Sequence, residues 1–288
     1  KFSSPGEFRF KEKIEKQLRQ KYPDLEELPV ERKEKMLEKF RDKKFFPDFY
    51  LHNSALTRLA IKQSVSQDVL IIQAIANIQE LDKAANLLVK RLREWYGWYF
   101  PEFAFRMTDN EKFTELVVSK KREELQKEIH LKETMGADLD KTQVEEILLL
   151  ARQVQELYQL RKKHEDYLHQ TMKTHCPNIL ELAGVTIGAR LLELGKGLKH
   201  IALLPSSTIQ LLGAEKALFR HLKTGARSPK YGVIINHPFV QKAKREDKGK
   251  MARKLADKLS LCARLDYFKG EFKALDYRRE LEGELEKS

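Results

Sequence analysis

The chain has 288 residues, 41% of them hydrophobic and 34% charged, and a formal net charge of +12. No apolar run reaches the roughly 18 residues a membrane-spanning helix needs. Two cysteines are too few for a disulfide framework or a four-cysteine zinc site, so a reducing, intracellular setting is expected. The low content of glycine and proline, 13 and 9 residues, favours long helices over a turn-rich β fold.

Residues 1–47 are polar and mixed in charge. Glu7–Gln20 and Pro29–Lys43 read as short helices in a connector, with Pro29 suited to a first turn. The start at Lys1, with no apolar leader behind it, reads as a fragment boundary and not a signal peptide.

From Tyr50 to Tyr99 the pattern is strongly helical. It is apolar nearly all round from Ile71 to Ile78, which marks the centre of a core, and then one-sided through Leu81, Leu88, Leu92 and Trp95. Gly97 and Pro101 close the stretch. The rings of Trp95, Tyr96, Trp98, Tyr99 and Phe100 read as packing at a module junction, with a base-stacking platform as the functional alternative.

Glu111–Thr134 and Lys141–His169 read as the two arms of a helical hairpin, turning at MGADLD, each arm about 35 to 45 Å long. Ile147, Ala151, Val154 and Tyr158 form a seam on the second arm; Val118, Leu125 and Ile129 line the first. Charge nearly balances here, with 11 basic against 13 acidic residues from Glu111 to Gln170. So thin a hairpin has little core of its own, and these seven residues are the expected self-association surface. His164, His169, His175 and Cys176 lie close in sequence, but their spacing matches no familiar metal-ligand pattern, and they read as polar helix-end residues.

The net charge sits in one place. Between Thr186 and Gly270 there are 18 Lys and Arg against 6 Asp and Glu, while the rest of the chain holds 37 of each sign. A basic excess confined to one module is the footprint of a polyanion-binding face, nucleic acid first, with an acidic protein or an anionic membrane as the other readings. Gly184, Gly188, Gly195 and Gly197 form neither a phosphate-loop string nor a dinucleotide fingerprint; they read as turns around short helices, with Lys196 and Lys199 joining the basic face. Pro205–Pro238 is the centre of the module. Ser206, Ser207 and Thr208 mark a helix start that suits an anion, Lys216, Arg220 and Lys223 share one face of the next helix, and Arg227 and Lys230 flank Ser228 and Pro229 in a loop. Met251, Leu255, Leu259 and Cys262 form the apolar row of a last long helix, where a structural pairing of Arg264 with Asp266 is expected.

GAEKALFRHLKTGARSPKYGVIINHP, followed by KMARKLADKLSLCARLDYF, closely resembles the Nop domain. REWYGWYFPE and the MGADLDKTQVEE hairpin are similar to the central and coiled-coil regions of archaeal Nop proteins, the scaffold subunits of box C/D ribonucleoproteins. The likeness covers roughly Phe45 to Phe272. It implies an all-α chain: residues 1–47 a connector or remnant of a fibrillarin-binding domain, 48–108 a central helical region, 109–172 a long antiparallel coiled-coil hairpin, and 173–288 a helical Nop domain. It further implies a homodimer formed through the coiled coil, and docking on box C/D guide RNA at a kink-turn that carries its small ribosomal-protein-like binder. The fibrillarin methyltransferase is the implied enzymatic partner, in the cytoplasm of an archaeal cell and with no membrane. Carried onto this sequence, the likeness places Gly213, Ala214, Glu215 and Lys216 against RNA, Ala217 to Arg220 near the guide duplex, and Arg227, Ser228 and Lys230 on phosphate; Lys196, Lys199, Gln210 and Lys223 complete the expected RNA-binding set. No catalytic residue, metal or cofactor is expected; His221 and His237 lack a nearby nucleophile in sequence. A spliceosomal-type Nop factor and a non-specific basic coiled-coil dimer that coats nucleic acid are the alternatives.

Overall fold

The computed structural model describes residues 46–286, with a few isolated positions before them. The two helices expected before Lys43 lie outside the described residues. The chain divides into two compact units, residues 1–64 and 65–288. In the first, helix α1 (Phe46–Ser64) exposes Phe49, Tyr50, Leu51 and Ile61.

The second unit is built on two long helices, α2 (Gln67–Tyr99) and α6 (Lys141–His175). The cross-links Asp68–His175 (2.6 Å), Asn77–His164 (2.6 Å) and Asp82–Arg161 (3.2 Å) rise in number along α2 while falling along α6, so the helices are antiparallel. Each helix passes through two apolar cores. Ile71, Ile75 and Ile78 meet Leu168 and Met172 in the first, together with the C-terminal helices. Val89, Leu92 and Tyr96 meet Ile147, Ala151 and Val154 in the second. The polar cross-links at Asn77 and Asp82 lie where one apolar stripe gives way to the other, which keeps these polar groups paired within the bundle.

The second core is closed by α3 (Pro101–Arg106), α4 (Asn110–Ser119) and α5 (Arg122–Glu128). Phe103 stacks between Phe100 and Phe113 at centroid distances of 5.8 and 5.6 Å, and Tyr96 meets Phe103 and Phe113 edge-on. Tyr96 and Phe100 are therefore core residues, whereas Trp98 is 75% exposed.

The all-helical expectation holds: no strand occurs among the described residues. The first arm of the hairpin differs from its expected bounds. It ends at Ser119, breaks at the extended Lys120, and resumes only as far as Glu128, so the long partner of α6 is α2. MGADLD packs back onto the end of α2, where the Ala137 N–H donates to Trp98 O (2.8 Å). A Cβ on Gly136 would lie 2.1 Å from Tyr99 O, so this close approach requires glycine. Arg122 holds the segment in place, its guanidinium 4.6 Å from the Tyr99 ring centroid and donating to Gly136 O (3.2 Å).

The seam residues are consumed inside the chain. Leu125, Ile147, Ala151 and Val154 are fully buried, Tyr158 is 8% exposed, and Val118 and Ile129 pack against the same cluster. Leu125, Ile147, Ala151 and Val154 thus pack within the chain, whereas Val118 and Ile129 stay half-buried. Periodicity showed that the stripe had a partner but not that the partner was α2.

Candidate nucleic-acid interface

The basic module begins where α6 ends. Pro177–Ala183 (α7), Val185–Leu194 (α8), Leu198–Leu203 (α9) and Ser206–Leu211 (α10) are short helices packed around the long α13 (Lys248–Phe268). Between them lie α11 (Glu215–Thr224), a 3-10 turn (Val233–Asn236) and α12 (Pro238–Lys242); α14 (Ala274–Glu286) closes the chain.

A buried polar knot ties α7 to α13 and α14 within this module. Asp266 on α13 accepts from the Asn178 N–H (3.0 Å), Asn178 Nδ2 (2.8 Å) and the Ile179 N–H (2.9 Å), capping α7 from a distance. Asn178 Oδ1 in turn accepts from the N–H groups of Lys273 (2.8 Å) and Ala274 (3.1 Å) at the start of α14. Burial pushes the Asp266 carboxyl above its ordinary pKa, and the donated hydrogen bonds oppose that shift. Asp266 does not pair with Arg264, whose Nε donates to Ala202 O (3.3 Å), since residues two apart on a helix do not face each other. His237 is a core residue: Nε2 donates to Leu182 O (2.8 Å), Nδ1 accepts from the Phe239 N–H (3.2 Å), and burial lowers its pKa.

The Gly213 corner is exposed. Gly213 has φ +88°, and a Cβ there would sit 2.7 Å from Val233 Cγ2 and 3.3 Å from Leu194 Cδ1. The corner thus lies beside the end of α8, next to the turn that carries Lys196. Glu215 accepts from the Gly213 N–H (2.7 Å), so this carboxylate braces the corner. The return loop is tied alongside: Gln210 Nε2 donates to Lys230 O (2.6 Å), the Gly232 N–H to Gln210 O (2.8 Å) and the Val233 N–H to Leu212 O (2.8 Å). Helix α11 has no buried residue and ends at Gly225 in the left-handed region, with His221 Nδ1 bonded to Ala226 O.

The structure therefore brings the Lys196 turn, the Gly213 corner and Lys230 together. Lys196, Lys199, Lys216, Arg220, Lys223, Arg227 and Lys230 are all exposed, and none has a carboxylate partner among the described residues. Gln210 and Ala214 are half-buried, Ser228 exposed. The Ser206–Thr208 start differs from its expectation: α10 is only six residues long, is N-capped by Pro205 and has no side-chain cap. Sequence reasoning missed Lys248 and Lys250. A Cβ on Gly249 between them would lie 3.4 Å from Lys230 Cδ, which extends the cationic run onto the start of α13. The KGK string was visible, but its nearness to Lys230 is a tertiary fact. Other cations are neutralised: Lys254 pairs with Glu284 and Lys258 with Glu280 beneath α14, and Arg190 with Glu193 (2.5 Å).

Among the described residues no helix is long and apolar enough to cross a membrane, and no group of three or more His, Cys, Asp or Glu side chains is placed to hold a metal ion. His175 pairs with Asp68, and burial raises the pKa of Cys176.

The family profile described as "Nop: snoRNA binding domain, fibrillarin" matches residues 77–287. An uncharacterized NOP5 family protein of Methanocaldococcus jannaschii is 40% identical over 232 residues, covering 75% of this chain and 56% of the relative. Nucleolar protein 56 of Saccharomyces cerevisiae is 38% identical over 239 residues (75% and 47%), and nucleolar protein 58 of Schizosaccharomyces pombe 40% identical over 229 residues (74% and 45%). The crystal structure of a fibrillarin/Nop5p complex matches with a TM-score of 0.49 and 25% identity, covering 85% of this chain and 80% of that one. The chain spans about half the length of the curated relatives it matches. With the profile running from the first core through α14, the chain belongs to the Nop family.

Proposed function

We propose that this chain is a scaffold of a box C/D-type RNA-guided 2′-O-methylation ribonucleoprotein. Residues 173–288 dock on kink-turn RNA together with its small ribosomal-protein-like binder, and the remainder positions a fibrillarin-type methyltransferase in an archaeal cytoplasm. Methyl transfer belongs to that partner; this chain fixes distance and orientation.

The observation that carries the reading is the run of exposed cations without carboxylate partners around the Gly213 corner, tied into one surface by the Gln210–Lys230 and Gly232–Gln210 hydrogen bonds. Such a surface neutralises phosphate and displaces counterions, while its fixed shape selects a bent RNA with modest dependence on base sequence. Glu215 acts by bracing the corner, Lys216 and Arg220 by contacting RNA. The proposed homodimer uses outward residues of the hairpin such as Leu149 and Leu160, which are 51% and 40% exposed.

A gel-shift series with kink-turn RNA, with and without the small binder, tests the reading on wild type, Lys216→Ala and Arg220→Ala. Tighter binding to the RNA–protein complex than to plain duplex, weakened by each substitution, is expected. Equal affinity in every case sinks it.

A further inference from the structure

At the end of the hairpin remote from the cationic module, a cleft of about 640 Å³ opens between the last turn of α4, the Lys120–Glu123 corner and the first turns of α6. Its volume exceeds what one side chain fills and falls in the range of about 300 to 1,000 Å³ that ligand pockets occupy. The half-buried Val118, Val144 and Leu148 give it an aliphatic floor.

The rim is cationic although the hairpin as a whole is not. Lys120, Lys121, Arg122 and Lys141 line the cleft against Glu123 and Glu145. Lys120 is paired with Glu128, Arg122 with Asp138 and Glu145 with Arg152. The ammonium groups of Lys121 and Lys141, one from each wall, are exposed and have no carboxylate partner among the described residues, against the single unpaired carboxylate of Glu123 on the rim. Nucleic acid is a poor fit. Tyr96 is buried, and Arg122 sits over the face of Tyr99, so neither ring offers a free surface for a base to stack on.

We propose that this cleft receives an acidic, apolar peptide segment of a partner protein, its aliphatic or aromatic side chains seated on Val118, Val144 and Leu148 and its carboxylates between Lys121 and Lys141. The apolar floor supplies affinity, and the two ammonium groups on opposite walls select the charge pattern.

Fluorescence anisotropy on the full chain tests this with a panel of labelled decapeptides in which Leu or Phe alternates with Asp or Glu. A charge-reversed panel with Lys and a single-stranded RNA decamer serve as the other probes. Saturable binding by members of the acidic panel and not of the reversed panel is expected, weakened at least about tenfold by Lys121→Glu combined with Lys141→Glu while RNA binding, which belongs to the cationic module, and the thermal melt are unchanged. The proposal is overturned by no binding from the acidic panel, by equal binding of the reversed panel, or by insensitivity to the double variant. RNA binding lost in that variant would assign the cleft to nucleic acid, and a self-dimer dissolved by it on sedimentation would assign it to a second copy; either result also overturns the proposal.

Discussion

Asp266→Ala should strike the joint that holds α7 against α13. The carboxylate is 4% exposed and accepts from two backbone N–H groups and one side-chain amide at 2.8–3.0 Å. Removing it leaves the amides of Asn178 and Ile179, at the first turn of α7, buried without an acceptor. A buried donor left unsatisfied costs about 1–3 kcal/mol, so two such amides together with the shared Asn178 side chain put the loss at roughly 3–5 kcal/mol. For a unit of this size that lowers the melting temperature by roughly 8–15 °C. Asp266→Asn keeps one acceptor oxygen but turns an amide toward a donor, and should lose about 2 kcal/mol. Urea titration followed by helical circular dichroism at pH 7 measures both. A loss under about 1 kcal/mol for Asp266→Ala would show that water replaces the carboxylate and that the knot does not hold the joint.

Burial depresses the His237 pKa below its unfolded value near 6.5, so the neutral ring contributes stability above about pH 6.5 that disappears as pH falls through that value toward the folded pKa. Urea midpoints should therefore drop between pH 7.5 and 5 by more in wild type than in His237→Gln; parallel curves would refute the assignment. Ile147→Ala, at a fully buried site, should destabilise by about 2–5 kcal/mol without changing the sedimentation coefficient of the folded protein. A change in association state with stability intact would return the seam to an intermolecular role. For kink-turn binding, each lost phosphate contact reduces the logarithmic salt slope by about 0.7–0.9, so Lys216→Ala with Arg220→Ala should flatten it by roughly 1.5. An unchanged slope would remove both side chains from the RNA contact.

The sequence was most informative where a pattern is local. Ile71, Ile75 and Ile78 lie in a core because an all-round apolar stretch has nowhere else to go, and the excess of cations after Thr186 is a count that folding cannot alter. It was least informative about which stripe meets which. The α6 seam was matched to its nearest neighbour in sequence, although α2, with its own apolar face ending in Tyr96, supplies the longer match and α4 only the outer part. The same limit applied to the basic module. Spacing placed Lys216, Arg220 and Lys223 on one helix face, but the loop–helix proximity of Lys230 and Gly249 and the cover of Lys254 and Lys258 by α14 depend on how distant segments dock. The Arg264–Asp266 expectation failed because a carboxylate on a buried face is claimed by the amides it meets there.

Because α2 runs unbroken for 33 residues through both cores, its length acts as a gauge of about 50 Å between the two ends of the bundle. Lengthening α2 and α6 together by seven residues would carry the far end outward by about 10 Å with nearly the same facing, whereas adding two residues would swing it to the opposite side. Whatever rides on that end is thus held at a set reach and angle from whatever the other end grips.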